Sequence, residues 1–94
     1  MTHYVKRQEQ DKTVGTGYES ECRTWVLNSH DRLKPAREAL EKARAAFEAA
    51  NPTAFRTGSG TNAGYSVLLI ERGLHDGYGD IYRNTRFWIG DRPD

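Results

Sequence analysis

The chain has 94 residues, a formal net charge of +1 and a hydrophobic content of 36%. A chain of this length holds one domain with a modest core. The net charge is close to zero and the sequence has no concentrated run of basic residues. Both observations argue against nucleic-acid binding by phosphate neutralisation. The sequence therefore predicts a small globular domain whose partner is not a nucleic acid.

The compartment follows from what the sequence lacks. No apolar run is long enough for a membrane span, and the opening stretch MTHYVKRQEQ has no apolar centre of the kind a signal peptide needs. Cys22 is the single cysteine, so no disulfide within the chain can staple the fold. We therefore expect a cytoplasmic protein with no membrane association.

The first twenty residues hold few sizeable apolar groups, and most of their neighbours are charged, polar or glycine. Alternation between Tyr4 and Gln10 is weak, which is compatible either with an edge strand or with a mobile arm. We therefore divide the chain into an N-terminal arm or weak edge strand (1–20) and a single α+β domain (21–94).

One helix is clearly indicated after the first strand of that domain. Apolar residues recur three or four positions apart from residue 33 to residue 50, which places them on one stripe of a helix. Pro35 suits the first helical turn, and Asn51-Pro52 ends the pattern. We predict a helix over residues 32–50 with Leu40 and Phe47 buried.

Alternating patterns predict the strands around this helix. Stretch 21–27 (ECRTWVL) and stretch 80–90 (DIYRNTRFWIG) alternate, whereas stretch 65–72 (YSVLLIER) is apolar on both faces, as expected for a central strand. The glycine-rich loop between the last two strands is typical of a hairpin. The predicted fold is a small two-layer α+β domain of (β)βαββ order. Its antiparallel or mixed sheet has three or four strands, with one main helix packed on one face.

The stretch RTGSGTNAGYS (56–66) has the composition of a phosphate-binding loop. Phosphate loops run from a strand into a helix, whose N-terminus faces the anion, but this stretch runs from a helix into a strand. It also lacks the residue spacings of the nucleotide-binding motifs. We interpret it as a connector, and keep anion binding by a backbone nest as an alternative, with candidate residues Gly58, Ser59, Gly60 and Thr61.

The remaining polar residues form no catalytic or metal-binding set. His30-Asp31 and His75-Asp76 are sequence neighbours in expected turns, and neighbouring side chains seldom face each other as a catalytic pair must. Cys22 and the three histidines lack the spacing of a zinc site. We predict no metal, no cofactor and no catalytic residues.

The final strand carries the most informative pattern. If Ile81, Phe87 and Ile89 pack under the helix, the alternate positions face outward. Those positions and their neighbours are rich in tryptophan, tyrosine and arginine, the residue types most enriched at binding hot spots. The predicted partner-binding residues are Tyr78, Tyr82, Asn84, Arg86, Trp88 and Arg92.

A helix followed by antiparallel strands with arginines and aromatics, as in DIYRNTRFWIG, resembles the small ribonuclease toxins of bacterial toxin–antitoxin systems. Those toxins are typically strongly basic, and this chain is not. The resemblance implies an enzyme alternative, in which Tyr82, Arg83, Arg86 and His75 stabilise a phosphoryl transition state.

Three functional hypotheses result. The first is a non-enzymatic protein-binding module, an inhibitor or adaptor of the kind that phages and mobile elements encode, with a homodimer through the two-faced strand 65–72 as a further expectation. The second is the ribonuclease-like enzyme. The third is a metabolite-binding or anion-binding site at the glycine loop.

Overall fold

The computed structural model describes residues 1–13, 19–57, 64–69 and 81–93, in which five strands form one antiparallel sheet beside a single helix. The strand order across the sheet is β2-β1-β5-β4-β3. This is the predicted small α+β domain with one helix on one face, but the sheet has five strands instead of three or four, because the short strand at Phe55–Thr57 was not predicted. The elements are β1 (His3–Thr13), β2 (Arg23–His30), α1 (Leu33–Ala50), β3 (Phe55–Thr57), β4 (Gly64–Leu69) and β5 (Ile81–Gly90).

The N-terminal strand lies in the interior of the sheet. β1 pairs with β2 on one side and with β5 on the other, over its whole length from Tyr4 to Thr13 in the second case. The expectation of a mobile arm or edge strand for this segment is therefore wrong. β1 can lie inside the sheet although Lys6 and Glu9 at its buried positions are charged, because both have partners distant in the sequence. Lys6 lies over the Trp88 ring, and Glu9 lies near Arg23 and Arg83.

Helix α1 forms where the apolar stripe predicts it. Ala36, Leu40 and Phe47 are buried on the face that meets the sheet. The helix ends at Asn51, whose φ and ψ of −131° and 70° are not helical, and whose backbone N–H and side-chain amide both donate to the carbonyl of Phe47, at 2.9 and 3.0 Å. In the described part of the chain, no helix combines the length and the apolar character that crossing a bilayer requires.

Three aromatic rings form the centre of the core between helix and sheet. The centroid of the Phe47 ring lies 5.1 Å from that of Tyr65 and 5.7 Å from that of Phe87. The Arg7 guanidinium lies 5.5 Å from the Phe47 centroid and 5.7 Å from the Phe87 centroid. Edge-to-face and tilted pairs at these separations each add to the stabilisation from burial alone. The cluster joins α1 to β1, β4 and β5.

Strand β4 pairs with β3 on one side and with β5 on the other. Tyr65 packs in the core, Val67 packs against it, and Leu68 is exposed on the opposite face. The two-faced character of this strand is thus real. β3 pairs with the outer edge of Gly64–Ser66, whereas a homodimer through the sheet faces of this strand stays a prediction.

Replacing Phe47 by alanine tests the core assignment. The change removes the ring that contacts both Tyr65 and Phe87, so we expect a loss of about 3–5 kcal/mol in the free energy of unfolding, measured by urea denaturation. Lys42→Ala, at an exposed position of the same helix, should change it by less than about 0.5 kcal/mol. Equal stability of the two variants would show that the buried face of α1 is assigned wrongly.

Candidate functional site

The two faces of the sheet differ in what covers them. Phe87 is buried in the core under α1, together with Val5 and Tyr65 from the neighbouring strands. Since side-chain direction alternates along a strand and paired residues share a face, the residues beside these point away from α1. We call this side the open face. On the described strands it comprises Lys6, Gln8, Gln10, Lys12, Thr24, Val26, Phe55, Ser66, Leu68, Tyr82, Asn84, Arg86 and Trp88.

One end of the open face is organised around a tryptophan. The ammonium group of Lys6 lies 5.3 Å from the centroid of the Trp88 ring, and the guanidinium of Arg86 lies 5.9 Å from it. Cations over an aromatic face are attracted by its quadrupole. We call Lys6, Arg86 and Trp88 the tryptophan patch. The two cations restrict the indole, so less side-chain freedom is left to lose when a partner binds.

Two glycines leave room for this patch. A Cβ atom on Gly64, which is opposite Arg86 in the strand pairing, would lie 3.3 Å from Arg86 Cγ and 3.2 Å from a backbone carbonyl oxygen. A Cβ atom on Gly90 would lie 3.3 Å from Lys6 Cδ. Both distances to the side chains are tighter than ordinary van der Waals contact. The absence of side chains at these positions leaves room for Arg86 Cγ and Lys6 Cδ.

A second group of apolar side chains lies at the other end of the open face. The rings of Phe55 and Tyr82 meet edge to face, with centroids 6.3 Å apart, and Leu68 is opposite Tyr82 in the strand pairing. Phe55 and Leu68 are 52% and 42% exposed. We call Phe55, Leu68 and Tyr82 the tyrosine patch. Exposed apolar side chains grouped in this way are typical of an interaction site rather than of general surface.

A polar row crosses the open face between Trp88 and Tyr82, and Phe55 lies at its end, opposite Ser66 in the strand pairing. Gln10, Asn84 and Ser66 lie side by side on neighbouring strands, and Ser66 Oγ donates to Asn84 Oδ1. Trp88 and Tyr82 are six residues apart on β5, which corresponds to roughly 20 Å at the rise of an extended strand. The open face therefore presents two apolar anchors with hydrogen-bonding groups between them, over the breadth of an ordinary protein–protein interface.

The charges of the open face have one sign on the described strands. Lys6, Lys12 and Arg86 are cations, and no strand residue on this face is acidic. Glu19 is bridged to Lys12 at the border of this face, with 3.6 Å between Nζ and Oε1. Of these cations Arg86 is exposed, whereas Lys6 is only 5% exposed, so Arg86 presents the accessible charge of the tryptophan patch.

The opposite face carries a balanced ion network. Arg83 Nε donates to Asp11 Oδ1 at 2.9 Å and lies 3.9 Å from Glu9 Oε2, while Arg23 lies 3.7 Å from the same oxygen of Glu9. Arg83 is therefore on the α1 side of the sheet, whereas Tyr82 and Arg86 are on the open face. The sheet separates the residues that the ribonuclease-like hypothesis brings together.

A hydrogen-bonded group of three residues links the end of α1 to the sheet. The hydroxyl of Tyr65 donates to Glu48 Oε1 at 2.7 Å, and Arg56 Nη2 donates to the same oxygen at 2.9 Å. These bonds, that from Tyr65 above all, stabilise the carboxylate and lower the pKa of Glu48. Burial and the bond to Glu48 raise the pKa of Tyr65. The group fixes β3 against the helix, and with it Phe55.

A groove of about 920 Å³ lies between α1 and the ends of β1 and β5. Two of the three guanidinium groups that line it donate to carboxylates of the chain itself: Arg44 Nη1 to Glu41 at 2.7 Å and Arg56 to Glu48, with Arg37 as the third. This compensation weakens its attraction for an anionic ligand. The groove is lined by Leu33, Arg37, Leu40, Arg44, Arg56 and Ile89, among others.

Several predicted site residues can be placed. Tyr82, Asn84, Arg86 and Trp88 share the open face, as the alternation predicted, and Arg92 is exposed just beyond β5. Tyr78, His75 and the loop residues Gly58, Ser59, Gly60 and Thr61 lie outside the described residues. Sequence reasoning did not include Lys6 and Phe55. The signal for Lys6 was the weak alternation of the first strand.

Within the described ranges, no three histidine, cysteine, aspartate or glutamate side chains are grouped as a metal ion would need. Comparison of the chain with models of known families, with curated proteins and with solved structures found no match in any of the three. Functional argument therefore rests on the geometry of the open face.

Removal of the Tyr65 hydroxyl tests the Glu48 group. In Tyr65→Phe the main hydrogen bond to the carboxylate is lost, so the pKa of Glu48 should rise towards its ordinary value, as measured by carbon-13 NMR of the side-chain carboxyl. A lowered pKa stabilises the fold above the unfolded-state pKa, and the contribution disappears as the pH falls through the folded-state value. The wild type should therefore lose more stability in acid than the variant. Tyr82→Phe should leave the pKa of Glu48 unchanged, and an equal change in both variants would contradict the assignment.

Proposed function

We propose that this chain is a non-enzymatic protein-binding module that acts as an inhibitor or adaptor through the open face of its sheet. The observation that carries the proposal is the pairing of two apolar anchors, the tryptophan patch and the tyrosine patch, on a rigid surface opposite the helix. Tryptophan, tyrosine and arginine dominate binding hot spots because they bury large areas and lose little freedom when held in place.

The rigidity of both patches favours tight binding to one surface. Trp88 lies close to two cations and Tyr82 contacts Phe55, while the strand that carries them pairs with a neighbour on each side. A partner therefore meets a preorganised surface and orders few side chains on binding. The charged residues on the strands of the open face are all cations, which favours a partner with an acidic surface. Such charge complementarity affects the association rate and its salt dependence more than the final affinity.

The competing ribonuclease-like function lacks this support. It requires Arg83 beside Tyr82 and Arg86, but Arg83 is tied to Asp11 on the opposite face of the sheet.

Action in the cytoplasm is part of the proposal, because Cys22 is exposed and would stay reduced there. Kinship with inhibitors from phages or mobile elements remains part of the same hypothesis and rests on small size alone.

Substitution of the tryptophan patch tests the function. The immobilised chain is first used to capture proteins from a lysate of its native host, in parallel with Trp88→Ala and with Thr24→Ala, an exposed change on the same face away from both patches. A protein that depends on Trp88 but not on Thr24 is then produced in pure form. We expect Trp88→Ala and Arg86→Ala each to weaken its binding by about 2 kcal/mol, or about thirtyfold in Kd by calorimetry.

The fold of each variant is checked by its NMR spectrum, since a lost fold would imitate a lost contact. Two results would contradict the proposal. One is a Kd for the Trp88→Ala variant within twofold of the wild type for every captured protein. The other is cleavage of RNA by the wild type that Arg86→Ala abolishes. In the second case, RNA binding should also fall steeply with added salt, as phosphate neutralisation requires.

A further inference from the structure

The outer edge of the sheet at β2 is unusually apolar and exposed. β2 pairs with β1 along one side, and none of the described strands pairs with its other side. Its residues are exposed from Arg23 to Ser29. Trp25, Val26 and Leu27, at its middle, are 41%, 40% and 42% exposed. An unpaired strand edge presents a row of backbone N–H and C=O groups that can pair with another strand.

This edge has few of the features that prevent such pairing. Between residues 24 and 29 there is no charged residue and no proline. Free edges in monomeric proteins are usually protected by charged side chains, prolines or a short length. β2 itself carries one bulge at Leu27, because Lys6 pairs with Val26 and Val5 with Asn28, so the side-chain alternation of β2 is interrupted between Val26 and Asn28. The edge is therefore suited to contact another strand.

We propose that β2 pairs with β2 of a second copy of this chain, antiparallel about a twofold axis through Val26, so that the two sheets become continuous. In this register Val26 of one copy faces Val26 of the partner subunit. Thr24 faces Asn28 of the partner subunit. Two-fold symmetry of this kind is the commonest arrangement of soluble dimers.

The strand is complementary to itself in this register. Trp25 and Leu27 are both on the α1 side: Arg7 lies over the Trp25 ring at 5.9 Å, and Leu27 lines a cavity with Phe47. Trp25 therefore meets Leu27 of the partner subunit, and the contact occurs twice. Pairs of aromatic and aliphatic side chains across neighbouring strands stabilise a sheet.

Charge also favours a second copy over a different partner. The Arg23 guanidinium lies 3.7 Å from Glu9 of its own chain, and in the proposed register it is opposite the neutral Ser29 of the partner subunit. The net charge of the whole chain is +1, so two copies repel each other little. The register thus buries apolar side chains without placing like charges together.

Disulfide trapping tests the register. Cys22 is first replaced by serine, because it is exposed and would form mixed products. Val26→Cys is then added and the protein is oxidised. Facing residues in an antiparallel pair lie about 4.5–5.5 Å apart between Cα atoms, within the range that a disulfide spans. We expect most of the chain to run as a covalent dimer on a non-reducing gel.

Thr24→Cys in the same background is the matched control. Thr24 is exposed and lies on the same face as Val26, so random collisions would link it equally well. In the proposed register the two copies of this residue are offset by four positions, roughly 13 Å, which is too far for a disulfide. Little or no covalent dimer is expected.

Val26→Glu provides a second test that needs no cysteine. The new carboxylate would be opposite Lys6 within its own chain, which preserves the fold, but would face its own copy across the axis. The dissociation constant of the dimer, measured by light scattering against concentration, should rise roughly tenfold or more. A wild-type chain that stays monomeric at high micromolar concentration would overturn the proposal, as would equal trapping at positions 24 and 26.

Discussion

Contact among the rings of Phe47, Tyr65 and Phe87 holds this small fold together. The three residues come from α1, β4 and β5, and the Arg7 guanidinium from β1 lies against two of the rings. A chain with so few aliphatic residues cannot build a wide core, so stability concentrates where aromatic groups meet. The position of the open face depends on this contact, because burial of Phe87 directs its neighbours Arg86 and Trp88 away from the helix.

Strand β5 contributes both to the core, through Phe87, and to the open face, through Trp88, so the stability of the core affects the order of the open face. A substitution that shifts Phe87 also moves the backbone of Trp88, and a looser core would release the tryptophan patch from its fixed arrangement. On the other side, the Glu48 group ties β3 to the helix and so controls where Phe55 lies. Both patches are thus supported from beneath by contacts on the α1 side, as a preorganised binding surface requires.

Sequence patterns predicted those parts of the fold in which local periodicity and burial agree. Helix α1 shows a stripe of small and apolar residues, and the two faces of β5 follow from strict alternation. β1 was missed because three of its buried positions are polar: Lys6, Glu9 and Thr13. Glu9 can be buried since Arg23 and Arg83 lie near its carboxylate. Arg7, two residues away on the same face, also donates to Glu9, but Arg23 and Arg83 are distant in the sequence, so the local pattern could reveal only part of the compensation.

The same reasoning explains which site residues could be found. Arg86 and Trp88 follow from the direction of Phe87 alone, whereas Lys6 enters the tryptophan patch only through the pairing of β1 with β5. Phe55 enters the tyrosine patch only through the pairing of β3 with β4. Residues contributed by a strand's own alternation were predictable, and residues contributed by a neighbouring strand were not.

Pairing of the first strand with the last has a kinetic meaning. Tyr4 pairs with Gly90 and Thr13 with Ile81, so the centre of the sheet joins segments from opposite ends of the sequence. Closing a long loop costs chain entropy before contacts of such large sequence separation can form and stabilise the fold. Proteins rich in such contacts therefore fold slowly. During synthesis β1 and β2 emerge before β5. The apolar residues of the β2 edge are therefore exposed before the sheet can form. Newly made chains are therefore most prone to mispairing in that interval, before the last strand arrives.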